Sequence, residues 1–445
     1  MKKLYCLLAV VVLAACTPAQ KNASESARWE AERWRRIKID FNKTEHDVKE
    51  YIQQYIPHVT DSQFLAWERS GKLEFLEIEG KKRYFRNAAP NLFRIDSAAH
   101  TVKVEQEGEP LSGSELINAL HLPAVIAAVE REGVDTVLPT RLTVTYTLTV
   151  DADVVPSGEI LRCWLPYPKD HQHRQKDVKL IAVSEGHYTL APDTCAHSSL
   201  YMSKPAVAGE PTVFSAAYSY TTYAEWHKLK PEDVLPYQTD ELYHTYTAEC
   251  PPHIVFSDTI RALAKRLAGN ETNPLLVARR IFRYVNDHFP WASAREYSTI
   301  PNIPEYVLER GHGDCGQVTL LFMTLCRSLG IPVHWQSGFM MHPGAWNLHD
   351  WAEIYFEGIG WVPVDQSFGI PVFANDADVE WFFLGGIDRW RMIVNNDYSR
   401  PLYPKKMYPR SETVDFQRGE VEWSGGNLYF NQWTYDMDIT YDETE

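Results

Sequence analysis

The sequence predicts an α+β fold from three successive patterns. Residues 28–137 place apolar side chains at helical spacing. Residues 138–230 alternate apolar and polar side chains between recurring turn residues. Residues 240–375 run through helices and then into strands. A strand-rich extension, 376–445, completes the chain. At 445 residues there is enough sequence for several separate cores.

The first residues read as a targeting segment rather than fold. A basic "MKK" precedes an apolar run, "LYCLLAVVVLAA", too short to span a bilayer. The run stops at "LAAC", which resembles a bacterial lipobox. This implies a signal peptide over 1–15, lipidation of Cys16, and a membrane-attached protein of the cell envelope, facing the periplasm or the outer-membrane surface. Residues 16–27, "CTPAQKNASESA", are polar and read as a tether.

In the region 28–137, "SARWEAERWRRIKIDF" and "EHDVKEYIQQYI" show helical periodicity, and "TDSQFLAWERSG" opens on cap residues and closes on glycine. "KLEFLEIEGKKRYF" alternates around a turn, as a hairpin does, and "SGSELINALHLPAVIAAVEREG" is helical again with an interruption expected at Pro123. From "RLTVTYTLTV" to "PTVFSAAYSYTTYAEW" the alternation predicts an antiparallel β-sandwich over 138–230. "KLKPEDVLPYQTDE" reads as a linker. "FSDTIRALAKRLAG" and "NPLLVARRIFRYVNDHF" return to helix.

The chemistry concentrates in "GHGDCGQVTLLFMTLCRSLGIP", residues 311–332. Val318, Leu321, Phe322, Leu325 and Leu329 form one apolar stripe, and Gly330 and Pro332 end the helix. Asp314 with Gln317 three residues on is a capping-box pattern. Cys315 then sits in the first turn, where unpaired N–H groups and the helix dipole favour a thiolate, against an opposing influence from the Asp314 carboxylate. Cys326 falls higher on the same helix and reads as a core thiol.

A base and its carboxylate follow in "NLHDWAEIYFEGIGWVPVDQSFG". His349 opens one strand and Asp365 closes the next. A four-residue turn at 357–360 would put Asp365 on the face away from His349. A three-residue turn at 357–359 pairs Asp365 with Trp351 and makes His349 its diagonal neighbour, about 7 Å away between Cα atoms. The shorter turn, or a bulge, is therefore expected. Asp350 points to the opposite face and reads as structural. His312 and His342 are rival bases, each lacking a strand partner that carries a carboxylate.

"GDCGQVTLLFMTLCRSLGIPVHWQSGF" followed by "HDWAEIYFEGIGWVPVD" resembles the transglutaminase-like superfamily. The resemblance implies a papain-like core with Cys315, His349 and Asp365 as a catalytic triad. It also implies acyl transfer or hydrolysis on peptide or isopeptide amides through a thioester, as in a cysteine protease. Trp291, in "HFPWASAREY", resembles an aromatic that precedes the cysteine in this superfamily, and implies an indole donor near the oxyanion. Gln317 departs from the acidic or small residue found in many members and bears on the cleft and substrate preference. The region before the core is similar to the sandwich that precedes it in bacterial members.

The remaining composition narrows the options. A formal charge of −15 argues against nucleic acid as a partner. The partners expected are a protein or peptide substrate and, through the anchor, the membrane. No EF-hand pattern and no CxxC pair occur, so no metal and no cofactor is expected. Five cysteines follow the anchor, an odd number, so at least one thiol stays free; Cys163 and Cys195 share a β-rich region where a disulfide is an open alternative. Two other readings stand beside the amide enzyme: arylamine acetyl transfer, and a non-catalytic surface lipoprotein that binds polymer or protein.

Overall fold

The computed structural model describes residues 18–443, with side chains over 27–442. The expected signal segment over 1–15 and Cys16 lie outside the described residues. The fold is α+β with antiparallel sheets.

The N-terminal part contains α1 (Pro18–Asp40), α2 (Glu45–Gln53), α3 (Asp61–Arg69), the hairpin β1 (Phe75–Ile78) and β2 (Lys81–Tyr84), then α4 (Ala88–Ile95), α5 (Ser97–Glu107) and α6 (Gly113–Glu132). α1 begins inside the segment that composition suggests is a tether. α2, α3 and α6 each start on a capping box, at Thr44, Thr60 and Ser112, which satisfies otherwise orphaned backbone donors. Pro123 does not interrupt α6. It removes one backbone hydrogen bond, while Leu122, Val125 and Ile126 on the same stretch are buried and hold the helix together.

Two five-stranded sheets come next. Their strands are β3 (Thr136–Val150), β4 (Ile160–Pro166), β5 (Gln175–Val183), β6 (Tyr188–Leu190), β7 (Ser199–Pro205) and β8 (Thr212–Trp226). The C-terminal segment completes both sheets with β12 (Gly386–Ile387), β14 (Glu420–Trp423), β15 (Gly426–Leu428) and β16 (Trp433–Glu443). One sheet runs β12-β8-β3-β16 with β5 also on β8; the other runs β15-β14-β4-β7-β6. Inward side chains of both, such as Val144, Phe214, Leu161, Met202 and Val421, share one apolar core, the arrangement expected of a sandwich. Cys163 is buried in that core, and Cys163 and Cys195 are both free thiols.

The core that carries the chemistry packs α7 (Glu241–Tyr246), α8 (Asp258–Ala268), α9 (Pro274–His288), α10 (Ile303–Arg310), α11 (Cys315–Ser328) and α12 (Ala377–Glu380) with a four-stranded sheet. That sheet is ordered β11-β10-β9-β13, from β9 (Val333–Met340), β10 (Asn347–Phe356), β11 (Gly360–Val364) and β13 (Arg391–Asn395). α11 is buried on every side from Gly316 to Arg327, not along a single stripe. Its non-stripe positions include Thr319, Met323 and Thr324, and the Thr324 hydroxyl is satisfied by the Leu320 carbonyl at 2.7 Å. A buried threonine that bonds its own helix reads in sequence like a polar face.

Candidate active site

Asp314 caps α11 as the spacing predicts. Its carboxylate accepts from the Gln317 N–H at 3.1 Å, and Gln317 Oε1 accepts from the Asp314 N–H at 3.2 Å. Cys315 is thus the first residue of the helix, in the turn whose N–H groups have no partner within the helix. Space at residue 316, a glycine, is tight on this side of the helix start. A Cβ there would collide with the Tyr297 hydroxyl and lie 2.6 Å from Asp350 Oδ2.

The hairpin that carries the base has the shorter turn. Phe356 pairs with Gly360 and Ala352 with Val364, so the connection is Glu357-Gly358-Ile359. Pairing of β10 with β11 stops at Ala352. The chain beyond Val364 bends away, with Asp365 N–H bonded to the Phe383 carbonyl at 2.8 Å. This frees the first residues of β10 on that edge, and Asp365 reaches His349 diagonally, with 2.8 Å between Nε2 and Oδ2. His349 Nδ1 makes no hydrogen bond among the described residues and is left for the cleft.

Asp365 is held by more than the imidazole. It accepts from the N–H groups of Ser367 and Phe368 at 3.2 and 3.0 Å, and Arg391 Nη1 lies 2.8 Å from Oδ2. Burial raises the Asp365 carboxyl, but His349 and Arg391 outweigh it and keep it below the usual carboxylate range. Arg391 is itself fully buried and bonds Asp388 through Nε at 3.0 Å and Nη2 at 2.6 Å. The row His349–Asp365–Arg391–Asp388 therefore alternates in character from base to acid to cation to acid.

The thiol of Cys315 points elsewhere. It donates to Asp350 Oδ2 at 3.3 Å, and no hydrogen bond joins it to His349. Asp350 does face away from His349, as strand alternation requires, yet that face is occupied by the nucleophile candidate rather than by scaffold alone. Burial, then the Asp350 and Asp314 carboxylates, push the Cys315 thiol upward, so these effects oppose the helix dipole and favour the protonated thiol in the free protein.

Two cavities meet at Cys315. The larger, about 950 Å³, is lined by His349, Trp291, Leu348, Phe368 and Asn118 among others; the smaller, about 190 Å³, includes Asp350, Asp415, Glu412 and Arg418. Cys315, Asp314, Leu348, Ala294 and Arg86 border both. Trp291 is half exposed in the larger cavity, and its ring lies 4.8 Å from the Arg94 guanidinium. Gln317 borders neither cavity; it is fully buried and serves the cap. His312 and His342 are both buried. His342 Nε2 lies 3.3 Å from Asn118 Oδ1 and 3.6 Å from Asp388, and burial lowers it to about 4. Cys326 is a core thiol.

Sequence reasoning does not find Arg391, Asp415, Gln417 or Arg418. Gln417 Nε2 donates to Asp350 Oδ1 at 2.8 Å and to the His349 carbonyl at 3.1 Å, so the C-terminal segment braces both residues that flank the thiol.

Residues 261–366 match the family model of the transglutaminase-like superfamily. Over this stretch the chain is similar to a transglutaminase-like core. The match runs from within α8 through α9 to α11, β9 and the hairpin to Asp365. An uncharacterized protein of Haemophilus influenzae is 26% identical over 272 residues, covering 50% of this chain and 68% of the relative. Among solved structures, a candidate cysteine protease from Cytophaga hutchinsonii is similar at 15% identity and TM-score 0.46, covering 70% of this chain and 92% of that one. The periplasmic domain of TgpA from Pseudomonas aeruginosa is similar at 14% identity and TM-score 0.26, covering 54% and 91%.

Proposed function

We propose that this protein is an extracytoplasmic thiol-dependent hydrolase or acyltransferase that acts on peptide or isopeptide amides. The observation that carries this reading is the buried 2.8 Å contact between His349 Nε2 and Asp365, with His349 bordering the same cavity as Cys315 at a helix N-terminus. In the reaction the Cys315 side chain turns from Asp350 toward His349, and its proton passes to Nδ1. The sulfur attacks the amide carbonyl carbon, and the oxyanion meets the Cys315 N–H, with the Trp291 indole as a second donor. The imidazolium then protonates the leaving nitrogen as the C–N bond breaks, leaving a thioester. Water or an amine attacks this ester, gives its proton to His349, and the S–C bond breaks. Asp365 holds the ring orientation and stabilises the imidazolium. In this reading Cys16 anchors the protein to the envelope by lipid, and a Cys16→Ser variant loses incorporation of a labelled fatty acid.

The test incubates the purified protein with glutamine-containing and isopeptide-linked peptides, with and without a fluorescent amine. Amine incorporation identifies a transferase, peptide cleavage a protease, and ammonia release a deamidase. Cys315→Ala and His349→Ala are each expected to lower turnover by about 10³-fold or more. Full cellular function in the Cys315→Ala variant would instead mark a non-catalytic binding lipoprotein.

A further inference from the structure

The smaller cavity, on the Asp350 side of the thiol, has a charge problem that the proposed reaction does not explain. Five carboxyls border it: Glu296, Asp314, Asp350, Glu412 and Asp415. Three guanidiniums border it as well, but each is spent. Arg418 bonds Glu296 at 3.0 and 2.9 Å and Glu412 at 2.7 Å; Arg86 lies 3.4 Å from Glu296; Arg295 pairs with Glu74 at 3.2 Å. Arg410, behind Asp415, donates to backbone carbonyls of Asp415 and Thr413.

The three aspartates therefore have no ion-pair partner among the described residues. Asp314 is occupied by the Tyr297 hydroxyl at 2.5 Å and the cap. Asp350 accepts from Gln417 Nε2 at 2.8 Å and from the thiol, Asp415 accepts from the Ser337 hydroxyl at 3.1 Å, and the two carboxyls lie close enough to act on each other's titration. Two carboxylates so placed retain a proton between them. Burial, then the neighbouring carboxylates, push both upward. An independent feature points the same way. Ser298 borders this cavity and is buried, and its hydroxyl has no partner among the described residues. An acceptor is left waiting beside an under-compensated acid pair.

We propose that this cavity receives a cationic nitrogen group from the acyl side of the substrate, held by Asp350, Asp415 and the Ser298 hydroxyl. The acyl side follows from the chemistry. The leaving amine takes its proton from His349 and so departs over the larger cavity, which leaves the smaller one to the other side of the carbonyl. The cation replaces the proton shared by Asp350 and Asp415, and that proton goes to solvent. Asp350, now engaged with the cation, releases the thiol, which turns to His349. A substrate lacking the charge leaves the sulfur bonded to Asp350. Recognition and unmasking of the nucleophile are then one event. This inference rests on Cys315 as the nucleophile, as proposed above.

The experiment reads Cys315 modification and not turnover, so the two proposals fail separately. Full-length protein is treated with cationic aminoethyl, neutral methyl or anionic sulfonatoethyl methanethiosulfonate. Modification is followed on the peptide carrying Cys315, and each rate is divided by that for free 2-mercaptoethanol. The cationic reagent is expected to be faster than the neutral one by about tenfold or more, the effect of one pKa unit's worth of interaction, and the anionic one slower. Asp350→Asn and Asp415→Asn should each erase the preference. Methylammonium chloride should accelerate neutral iodoacetamide at Cys315 in the unmodified protein, relative to sodium chloride of equal strength, which needs no variant to fold. Equal normalised rates for the cationic and neutral reagents, a preference that survives both substitutions, or no methylammonium effect would each overturn the cavity assignment. Charge preference with no amide turnover would overturn the enzyme reading and leave the cavity.

Discussion

The two sides of Cys315 solve the problem of buried charge in opposite ways. On the His349 side, Asp365 and Asp388 share a fully buried arginine, and every acid has a cation or a hydrogen-bond donor in reach. On the Asp350 side, the arginines are consumed by Glu296, Glu412 and Glu74, and Asp314, Asp350 and Asp415 are left to neutral donors: the Tyr297 and Ser337 hydroxyls, the Gln417 amide, the Gln317 N–H and the Cys315 thiol. A compensated row is preset and stays ionised. An under-compensated cluster stores protons and responds to whatever positive charge arrives. The contrast explains how one sulfur can sit at a helix N-terminus and still be kept protonated.

The sharpest way to break the contrast is to remove the cation from the compensated side. Arg391→Met leaves Asp365 and Asp388 buried in one another's field without the guanidinium they share, and with only histidines beside them. Loss of one partner from a buried ionic group costs about 3–5 kcal/mol, so denaturant unfolding should show a shift of that size. Turnover should fall as well, because Asp365 would then rise toward protonation. A loss under about 1 kcal/mol would mean that the row is held by backbone donors alone.

Next in size is the pH response of the other side. Asp314 rises from 3.8 to about 6, through burial first, with bonds from Tyr297 and Gln317 working against it. The folded state therefore keeps a proton that the unfolded chain gives up. Stability must fall as pH rises from near 4 to near 6, by as much as about 1.4 kcal/mol per unit for this one proton. Asp350 and Asp415 act in the same direction. Asp365 and Asp388, held below their usual range, act oppositely and only at more acidic pH. Asp314→Asn keeps a side chain that caps as well as aspartate and removes the titration. Its unfolding free energy should vary less between pH 4 and 6 than that of the unmodified chain. An unchanged slope would show that Asp314 ionises freely.

How much of this is legible in the sequence depends on how local the cause is. The helix start is written in four consecutive residues, Asp314 to Gln317, because a cap is local chemistry. The diagonal between His349 and Asp365 follows from counting a turn, since side-chain period in a strand is two. The under-compensated cluster is not legible. Asp350 comes from β10, Asp415 and Gln417 from the segment before β14, Glu296 and Ser298 from the loop before α10. Nothing in the spacing of residues so distant marks them as neighbours. For the same reason the tail reads as strands of unknown use, although β14 and β16 complete both sheets and Gln417 reaches the site. Arg391 is hidden too, because a buried arginine in a strand looks like a surface residue until its two carboxylates are placed beside it.

The smallest effect tests the join between the two sides. Gly316 is the point where α11 passes closest to the Asp350 side, and Gly316→Ala would drive a methyl group toward the Tyr297 hydroxyl and Asp350 Oδ2. Overpacking of this kind typically costs about 1–3 kcal/mol. The tyrosine can be shortened: Tyr297→Phe removes the nearest atom and one bond to Asp314, at about 1 kcal/mol by itself. The two changes share one contact, so their costs should not add. The double variant should be more stable than the sum of the single losses predicts, by about 0.5 kcal/mol or more. Relief should remain partial, because Asp350 still lies 2.6 Å from the new Cβ. Thiol reactivity should separate the variants further. Gly316→Ala pushes Asp350 away from the sulfur, so Cys315 should alkylate faster in it even though the protein is weaker. Strict additivity with unchanged reactivity would mean that the helix start shifts as a unit and that Asp350 follows it, keeping the thiol masked.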